Sequence, residues 1–216
     1  MGEGVQVGKG ARNDDAGHAS IMEHFVCELF TTLTFVSYRA KGIVDDVVTT
    51  AINSLATLSR TSRRPAFGSI FLLNNVCYLR LHLLLQPSDP NISNLMSKST
   101  EEALNSNYRT AKAGYFDSNF SPLMQAINED PRDKSNKAAA KEKFTRFFDL
   151  LDEVIERHKL VVLLEDDTEA RDAIRDEVVM VVIPSLQKFT QKQKDKEFSK
   201  SMFDSVVILD LDLILI

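Results

Sequence analysis

The chain has 216 residues, a formal net charge of −5 at pH 7, 44% hydrophobic residues and 26% charged residues. These values are typical of one globular domain or two small ones, and they exclude a collagen-like or mostly disordered chain. The acidic balance also excludes a protein that coats nucleic acid with its whole surface, so an anionic partner would require a local basic patch.

Glycine recurs through residues 1–17, which contain no apolar run. We therefore predict a flexible leader there and no secretory signal. The two cysteines, Cys27 and Cys77, are too few for a disulfide framework or a cysteine-rich zinc site, and they favour a reducing, cytosolic compartment. His24 and Cys27 would share a helical face, but one His and one Cys do not supply four metal ligands. We predict neither a metal site nor a cofactor.

Two apolar helices are predicted in the first half of the chain. From Ile43 to Leu58 the apolar residues recur every three or four positions, which indicates one face of a helix. Pro65 suits the first position of a second helix because its missing N–H is not needed there. The second helix is apolar nearly all round, which predicts a central element that ends near Pro87 and Pro90.

The longest apolar stretch of the chain, Gly68–Leu85, lies in this second helix. Four polar residues interrupt it and would be costly in hydrocarbon, so we predict a core helix and not a membrane span. Buried amides must be hydrogen-bonded, and the two asparagines are therefore expected to fix the geometry between helices. The four residues are Asn74, Asn75, Arg80 and His82.

Three local signals organise the middle of the chain. Ser99–Glu102 has the Ser-x-x-Glu pattern of a capping box, which predicts the start of a third helix. Ser121 and Pro122 pair a capping hydroxyl with a proline, which predicts a short helix. The polar stretch Asn128–Lys137 is predicted to be a surface loop.

Two long helices are predicted after this loop. The first starts at Ala138 and buries an apolar stripe, and the second starts at Thr168 and is kinked by Pro184. The inward residues of the first are Phe144, Phe147, Phe148, Leu151, Ile155 and His158, and those of the second are Ala170, Ile174, Val178 and Val181.

About five helices joined by short polar loops predict an all-α fold, either a bundle or part of a helical rod. Two segments contradict this pattern. Leu29–Tyr38 is rich in Thr, Phe and Val, and Val206–Ile216 alternates Leu or Ile with Asp, and both patterns are typical of strands.

No group of residues has the pattern of a catalytic site. The acidic cluster Glu165–Glu169 lies at a predicted helix start, where the helix dipole favours negative charge without any catalytic role. His82 and His158 are expected to be satisfied core or boundary histidines, and Cys77 to be a small buried hydrophobe. These interpretations favour a protein that is not an enzyme. A pocket that places either histidine against a carboxylate would favour the enzymatic alternative.

Lysines are concentrated at the end of the last predicted helix. Residues 188–200 contain five lysines and two acidic residues, Asp195 and Glu197, which gives this segment a net charge of +3. Each lysine that reaches an anionic leaflet contributes about 1 kcal/mol, so this patch predicts weak membrane binding. A solvated helix end is the alternative, because lysines there also favour the helix dipole. The five residues are Lys188, Lys192, Lys194, Lys196 and Lys200.

The stretch Ser59–Leu79 resembles the C-terminal part of the exocyst's seventy-kilodalton subunit, and Phe71–Asn75 is its most distinctive piece. Three later stretches are similar to the same family in order and spacing, closest to its fungal members. They are Leu104–Ile127, Lys141–Leu160 and Ile183–Phe189, so that the resemblance extends from about Ile43 to Lys200.

This resemblance implies a rod of stacked antiparallel helix pairs in an octameric complex that tethers secretory vesicles to the plasma membrane before fusion. The family has no catalytic activity. The resemblance also implies three partners: other exocyst subunits, Rho-family GTPases and an anionic membrane surface, where basic C-terminal residues bind phosphatidylinositol 4,5-bisphosphate. The implied location is cytoplasmic and peripheral at the plasma membrane, at sites of secretion or polarised growth such as the bud tip or bud neck of fungi.

The chain departs from the family at two places. Residues 18–42 are atypical, and residues 201–216 form an acidic, apolar tail where the family continues with a basic terminal helix. We therefore predict a leader at 1–17, an atypical, partly helical segment at 18–42, the family's helical region at 43–200 and an atypical tail at 201–216. The alternative function is a truncated helical protein-interaction module that has lost lipid binding.

Overall fold

Six α-helices account for most of the described residues, which are 41–87, 94–128 and 137–193 together with His24 and Glu28 in this computed structural model. No strand occurs in this part of the chain, and the predicted all-α fold is confirmed. The strand-like segments Leu29–Tyr38 and Val206–Ile216 lie outside the described residues. The helices are α1 Lys41–Thr61, α2 Pro65–Arg80, α3 Lys98–Asn119, α4 Ser121–Ile127, α5 Lys137–Leu160 and α6 Thr168–Gln193.

A close backbone approach joins the end of α1 to the start of α2. Pro65 lies in the first turn of α2, as predicted. The Ser59 hydroxyl donates to the Gly68 carbonyl at 2.7 Å. A Cβ on Gly68 would lie 2.5 Å from the Ser59 carbonyl oxygen, so this approach requires glycine.

Helix α2 is the shared wall of two hydrophobic clusters. Its residues Ile70, Leu73 and Cys77 pack in a large cluster with α3, α4, α5 and α6, whereas Val76 and Leu79 pack in a second cluster with α1 and the first half of α3. All five are at most 3% exposed. The predicted central helix is confirmed, and burial of both faces explains why its sequence is apolar nearly all round.

The apolar character of α2 extends through a π-helical turn, Leu81–Leu85, in which the Gln86 N–H donates to the Leu81 carbonyl at 2.7 Å. By length and composition, Pro65–Leu85 is the one helix within the described ranges that could cross a membrane. Of its most apolar 18-residue stretch, 56% is buried inside the fold, as is typical of a core helix.

Helices α2 and α3 run antiparallel. At one end, the Arg80 Nε donates to Asn105 Oδ1 at 2.8 Å, and at the other end the Asn119 Nδ2 donates to Ser69 Oγ at 3.1 Å. Helix α5 joins this pair through Arg157, whose Nη1 donates to Asn119 Oδ1 at 2.8 Å. Asn119 is 1% exposed and thus links three helices inside the fold.

The start of α3 differs from the predicted capping box. Ser97 is the N-cap, because its hydroxyl accepts the Thr100 N–H at 3.2 Å, and Ser99 and Glu102 are exposed in the first turn. The Ser97 N–H also donates to Asp45 Oδ1 on α1 at 3.0 Å. A contact with a residue 52 positions earlier thus selects the earlier serine, which a local pattern does not encode.

The capping role predicted for Ser121 is also wrong. Ser121 lies inside α4, where its hydroxyl donates to Asp117 Oδ1 at 3.4 Å. The Phe120 N–H donates to the Phe116 carbonyl at 2.8 Å, so α3 and α4 are almost continuous. Backbone bonds at this junction replace a side-chain cap. Pro122 occupies the first turn of α4, as predicted.

The buried stripes of the last two helices largely follow the prediction. On α5, Phe144, Phe147, Leu151 and His158 are buried, and Phe148 and Ile155 are partly buried. On α6, Val181 is 47% exposed and the prediction for it is wrong. The buried line continues in steps of four residues, so Val182 follows Val178 into the core.

The two asparagines of α2 have different roles. Asn74 Nδ2 donates to the Val162 carbonyl at 2.9 Å, and its Oδ1 accepts the Leu164 N–H at 3.0 Å. These bonds tie α2 to the connection between α5 and α6, where Leu164 has a left-handed φ of 48°. Asn75 Nδ2 instead donates to the Phe71 carbonyl of its own helix. The predicted role in helix geometry is confirmed for Asn74 and wrong for Asn75.

Candidate functional site

A groove of about 450 Å³ lies between the C-terminal ends of α4 and α6. Met124, Ile127 and Phe189 supply its apolar lining, and Ile127 and Phe189 are almost fully buried by the surrounding fold. Pro122 and the continuity of α3 with α4 position the short α4 against α6. The polar lining consists of Gln125, Asn128, Ser185, Lys188 and Lys192.

Two of the predicted lipid-binding lysines line this groove. Lys188 and Lys192 are exposed and one helical turn apart, about 6 Å along the axis, so they share one face of α6. The other three predicted residues, Lys194, Lys196 and Lys200, lie outside the described residues. Lipid binding by all five stays a prediction.

A third lysine, Lys143 of α5, lies beside the groove. Its Nζ donates to the Asn128 carbonyl at 3.0 Å, and Asn128 lines the groove. Sequence reasoning missed Lys143 because it is 15 positions away from Asn128 and is surrounded by other charged residues on α5. The fold thus adds a positive charge that the lysine-rich segment does not contain.

Charge is segregated along α6. The first three turns carry four carboxylates and two arginines, Arg171 and Arg175, for a net charge of −2, whereas Val178–Gln193 contains no acidic residue and carries Lys188 and Lys192. The acidic start and the basic end both favour the helix dipole. The groove therefore lies at the positive end of a charge gradient. The four carboxylates belong to Glu169, Asp172, Asp176 and Glu177.

The acidic cluster before α6 has the structural role that the sequence indicates. Asp167 Oδ1 accepts the Ala170 N–H at 2.9 Å, as an N-cap does, and its Oδ2 lies 3.5 Å from the Cys77 Sγ. Glu165, Asp166 and Glu169 are exposed. Burial, with the nearby Asp167 carboxylate, raises the pKa of Cys77 to about 12, so the thiol stays protonated.

The two histidines singled out in the sequence differ in their surroundings. His158 is 3% exposed, and its nitrogens bind the Tyr115 hydroxyl and the Val154 carbonyl. Burial lowers the pKa of His158 to about 4, which keeps the ring neutral. The partly exposed His82 lies in the π-helical turn that follows α2, with its ring centroid 4.3 Å from that of Tyr78.

Candidate metal ligands are not clustered in the residues that the structure describes. No group of three or more His, Cys, Asp or Glu side chains there could hold a metal ion. His24 Nε2 lies 3.3 Å from Glu28 Oε1 on an exposed surface, and Cys27 lies outside the described residues.

One family model matches the chain over most of its length. The family model for the C-terminal region of Exo70, a component of the exocyst complex, matches residues 37–208, which extends beyond both ends of the resemblance read from the sequence. No curated protein matches the chain.

Proposed function

The chain belongs to the Exo70 family of exocyst subunits, as part of the C-terminal region, and from this we propose that its α4–α6 groove binds phosphatidylinositol 4,5-bisphosphate. Membership gives the chain a role as an exocyst subunit in vesicle tethering. The family is a non-enzymatic tethering component that acts with other exocyst subunits, in the cytoplasm and at secretion sites on the plasma membrane.

The observation that supports lipid binding is that Lys188 and Lys192 line the groove while Lys143 binds the carbonyl of Asn128, another lining residue. Each ammonium group near an anionic leaflet contributes about 1 kcal/mol, and a headgroup phosphate would accept hydrogen bonds from the two lysines that share a face of α6. Asn128 and Gln125 add polar groups at the same rim. The interaction is electrostatic and exposed, so it should weaken as ionic strength rises.

Vesicle co-sedimentation of the full chain tests this proposal. We expect binding to phosphatidylcholine vesicles that contain phosphatidylinositol 4,5-bisphosphate, and weaker binding when phosphatidylserine supplies the same charge. The double variant Lys188→Glu/Lys192→Glu should bind at least about 30-fold more weakly, because two contributions of about 1 kcal/mol are lost and two repelling carboxylates are added.

A matched control for this variant is Arg60→Glu/Arg63→Glu. It makes the same change in net charge at exposed residues of the α1–α2 corner. That corner packs near Arg157, which is about 21 Å along α5 from Lys143. Equal losses in the two double variants would contradict a specific site in the groove.

A protein-binding role that does not involve lipid is the second candidate. Met180 and Val181, 74% and 47% exposed, form an apolar surface on α6 that favours a protein partner. We propose other exocyst subunits and a Rho-family GTPase as partners, with the bud tip or bud neck as the site of action in a fungal cell. Loss of binding to purified exocyst subunits in Met180→Asp, with vesicle binding unchanged, would support this candidate.

A further inference from the structure

The acidic, apolar tail contains a segment whose chemistry complements the groove. Residues 204–212 carry three carboxylates between apolar residues, and the groove combines basic and apolar linings. We propose that this segment of the same chain occupies the α4–α6 groove and competes there with anionic lipid. The competition rests on the proposed function, whereas occupancy of the groove does not. The carboxylates belong to Asp204, Asp210 and Asp212.

The spacing of the charges supports this occupant. Lys188 and Lys192 are one turn apart, about 6 Å along α6. In an extended conformation Asp210 and Asp212 would point to the same side, about 6.7 Å apart. Each carboxylate can therefore face one lysine, and each such bond is a charge-assisted hydrogen bond.

The apolar residues between the carboxylates fit the opposite wall. Leu209 and Leu211 would point away from α6 when Asp210 faces it, because side chains alternate along an extended chain. The opposite wall is α4, which contributes Met124 and Ile127. One segment thus places its carboxylates against the two lysines of α6 and its apolar side chains against Met124 and Ile127, although the α4 side of the groove also contributes the polar Gln125 and Asn128.

The connecting chain is long enough for this contact. Twelve positions separate Lys192 from Asp204, and such a stretch can span up to about 40 Å, several times the distance between the two lysines. A short tether of this kind corresponds to a millimolar effective concentration. Even a contact that is weak between separate molecules would fill the groove within one chain.

A zero-length carbodiimide cross-linking experiment on the full chain tests the contact without any lipid. We expect amide cross-links that join Lys188 or Lys192 to Asp210 or Asp212 within monomeric protein, and fewer of them at high salt. Cross-links confined to Lys194, Lys196 and Lys200, or found only in cross-linked dimers, would overturn the proposal.

Vesicle binding tests the competition. The triple variant Asp204→Asn/Asp210→Asn/Asp212→Asn should reach half-saturation at about fivefold less phosphatidylinositol 4,5-bisphosphate, the gain expected when a segment that fills four-fifths of the sites is released. The matched control removes three exposed carboxylates at and just before the start of α6 and should leave binding near that of the unchanged protein. Its substitutions are Glu165→Gln, Asp166→Asn and Glu169→Gln.

The two readouts separate the two proposals. Equal gains in the tail variant and the control would overturn the competition, since net charge alone would then explain them. Cross-links at the predicted residues, with no vesicle binding by any variant, would support the tail contact and contradict the proposed lipid function. Lipid binding without the cross-links would contradict the tail contact and support the proposed lipid function.

Discussion

The hydroxyl oxygen of Tyr115 and Nε2 of His158 lie 2.9 Å apart where α3 and α5 meet, and both side chains are buried. His158 Nδ1 lies 2.8 Å from the Val154 carbonyl, which can only accept a hydrogen bond. Nδ1 therefore carries the proton of the neutral ring, and Nε2 accepts the Tyr115 O–H. Both ring nitrogens are satisfied without a charge.

Stability should depend on pH through His158. Burial lowers the pKa of its ring to about 4, below the unfolded value of about 6.5, so its stabilising effect is complete above the unfolded value and is lost as pH falls towards 4. We expect the stability advantage over His158→Gln to shrink by about 1.4 kcal/mol per pH unit between about pH 6 and pH 4.5. Denaturant titrations of both proteins measure this difference, and parallel curves would contradict a neutral, buried histidine.

Substitution of Gly68 by alanine should destabilise the protein by about 1 to 3 kcal/mol, since the new Cβ would lie 2.5 Å from the Ser59 carbonyl oxygen and separate α1 from α2. Gly114→Ala is the matched control. It lies in α3 with nothing within 4 Å of its added Cβ, and helix propensity should stabilise the protein by up to about 1 kcal/mol. Urea denaturation midpoints that move the same way in both variants would rule out the close approach as the cause.

The Asn74 side chain should stabilise the connection between α5 and α6. Asn74→Ala removes its bonds to Val162 and Leu164, and we expect a loss of about 1 to 3 kcal/mol in the free energy of unfolding. Asn107→Ala serves as the control, because that exposed amide donates only within α3 to the Ala103 carbonyl. A loss no greater than that of the control would show that the Asn74 bonds contribute little.

Cys77 should be inert towards thiol reagents while the protein is folded. Its side chain is 1% exposed and its pKa is raised to about 12, so the reactive thiolate is scarce at neutral pH. In a Cys27→Ser background, which leaves one thiol, we expect iodoacetamide to react at least about 1000-fold more slowly than in urea. Intact-mass spectrometry follows the modification. A native rate close to the unfolded rate would mean that α2 opens readily.

The helices were predictable from the sequence because periodicity and proline placement are local signals. Pro65 and Thr168 mark the starts of α2 and α6 within a residue of their observed positions. The errors came from interactions between distant parts of the chain. Asp45 selects Ser97 as the α3 cap, and the crossing of α6 over its neighbours buries Val182 instead of Val181.

The candidate site was predictable only in part for the same reason. Lys188 and Lys192 were visible as part of a basic segment, but the groove that they line needs α4, which is about 60 residues earlier in the sequence. Lys143 had no local signal, because its place beside the groove depends on how α5 packs against α4. A charge pattern identified the lysines, and tertiary packing supplied the cavity.

The position of α2 between the two hydrophobic clusters bears on how the protein unfolds. Ile70 and Leu73 support one cluster and Val76 and Leu79 the other, so neither cluster can open without exposing one side of the same helix. The two halves should therefore unfold together as one cooperative unit, and the amides of α2 should exchange with solvent only when the whole fold opens. A helix that a hydropathy scan could assign to a membrane thus makes a two-cluster protein behave as a single folding domain.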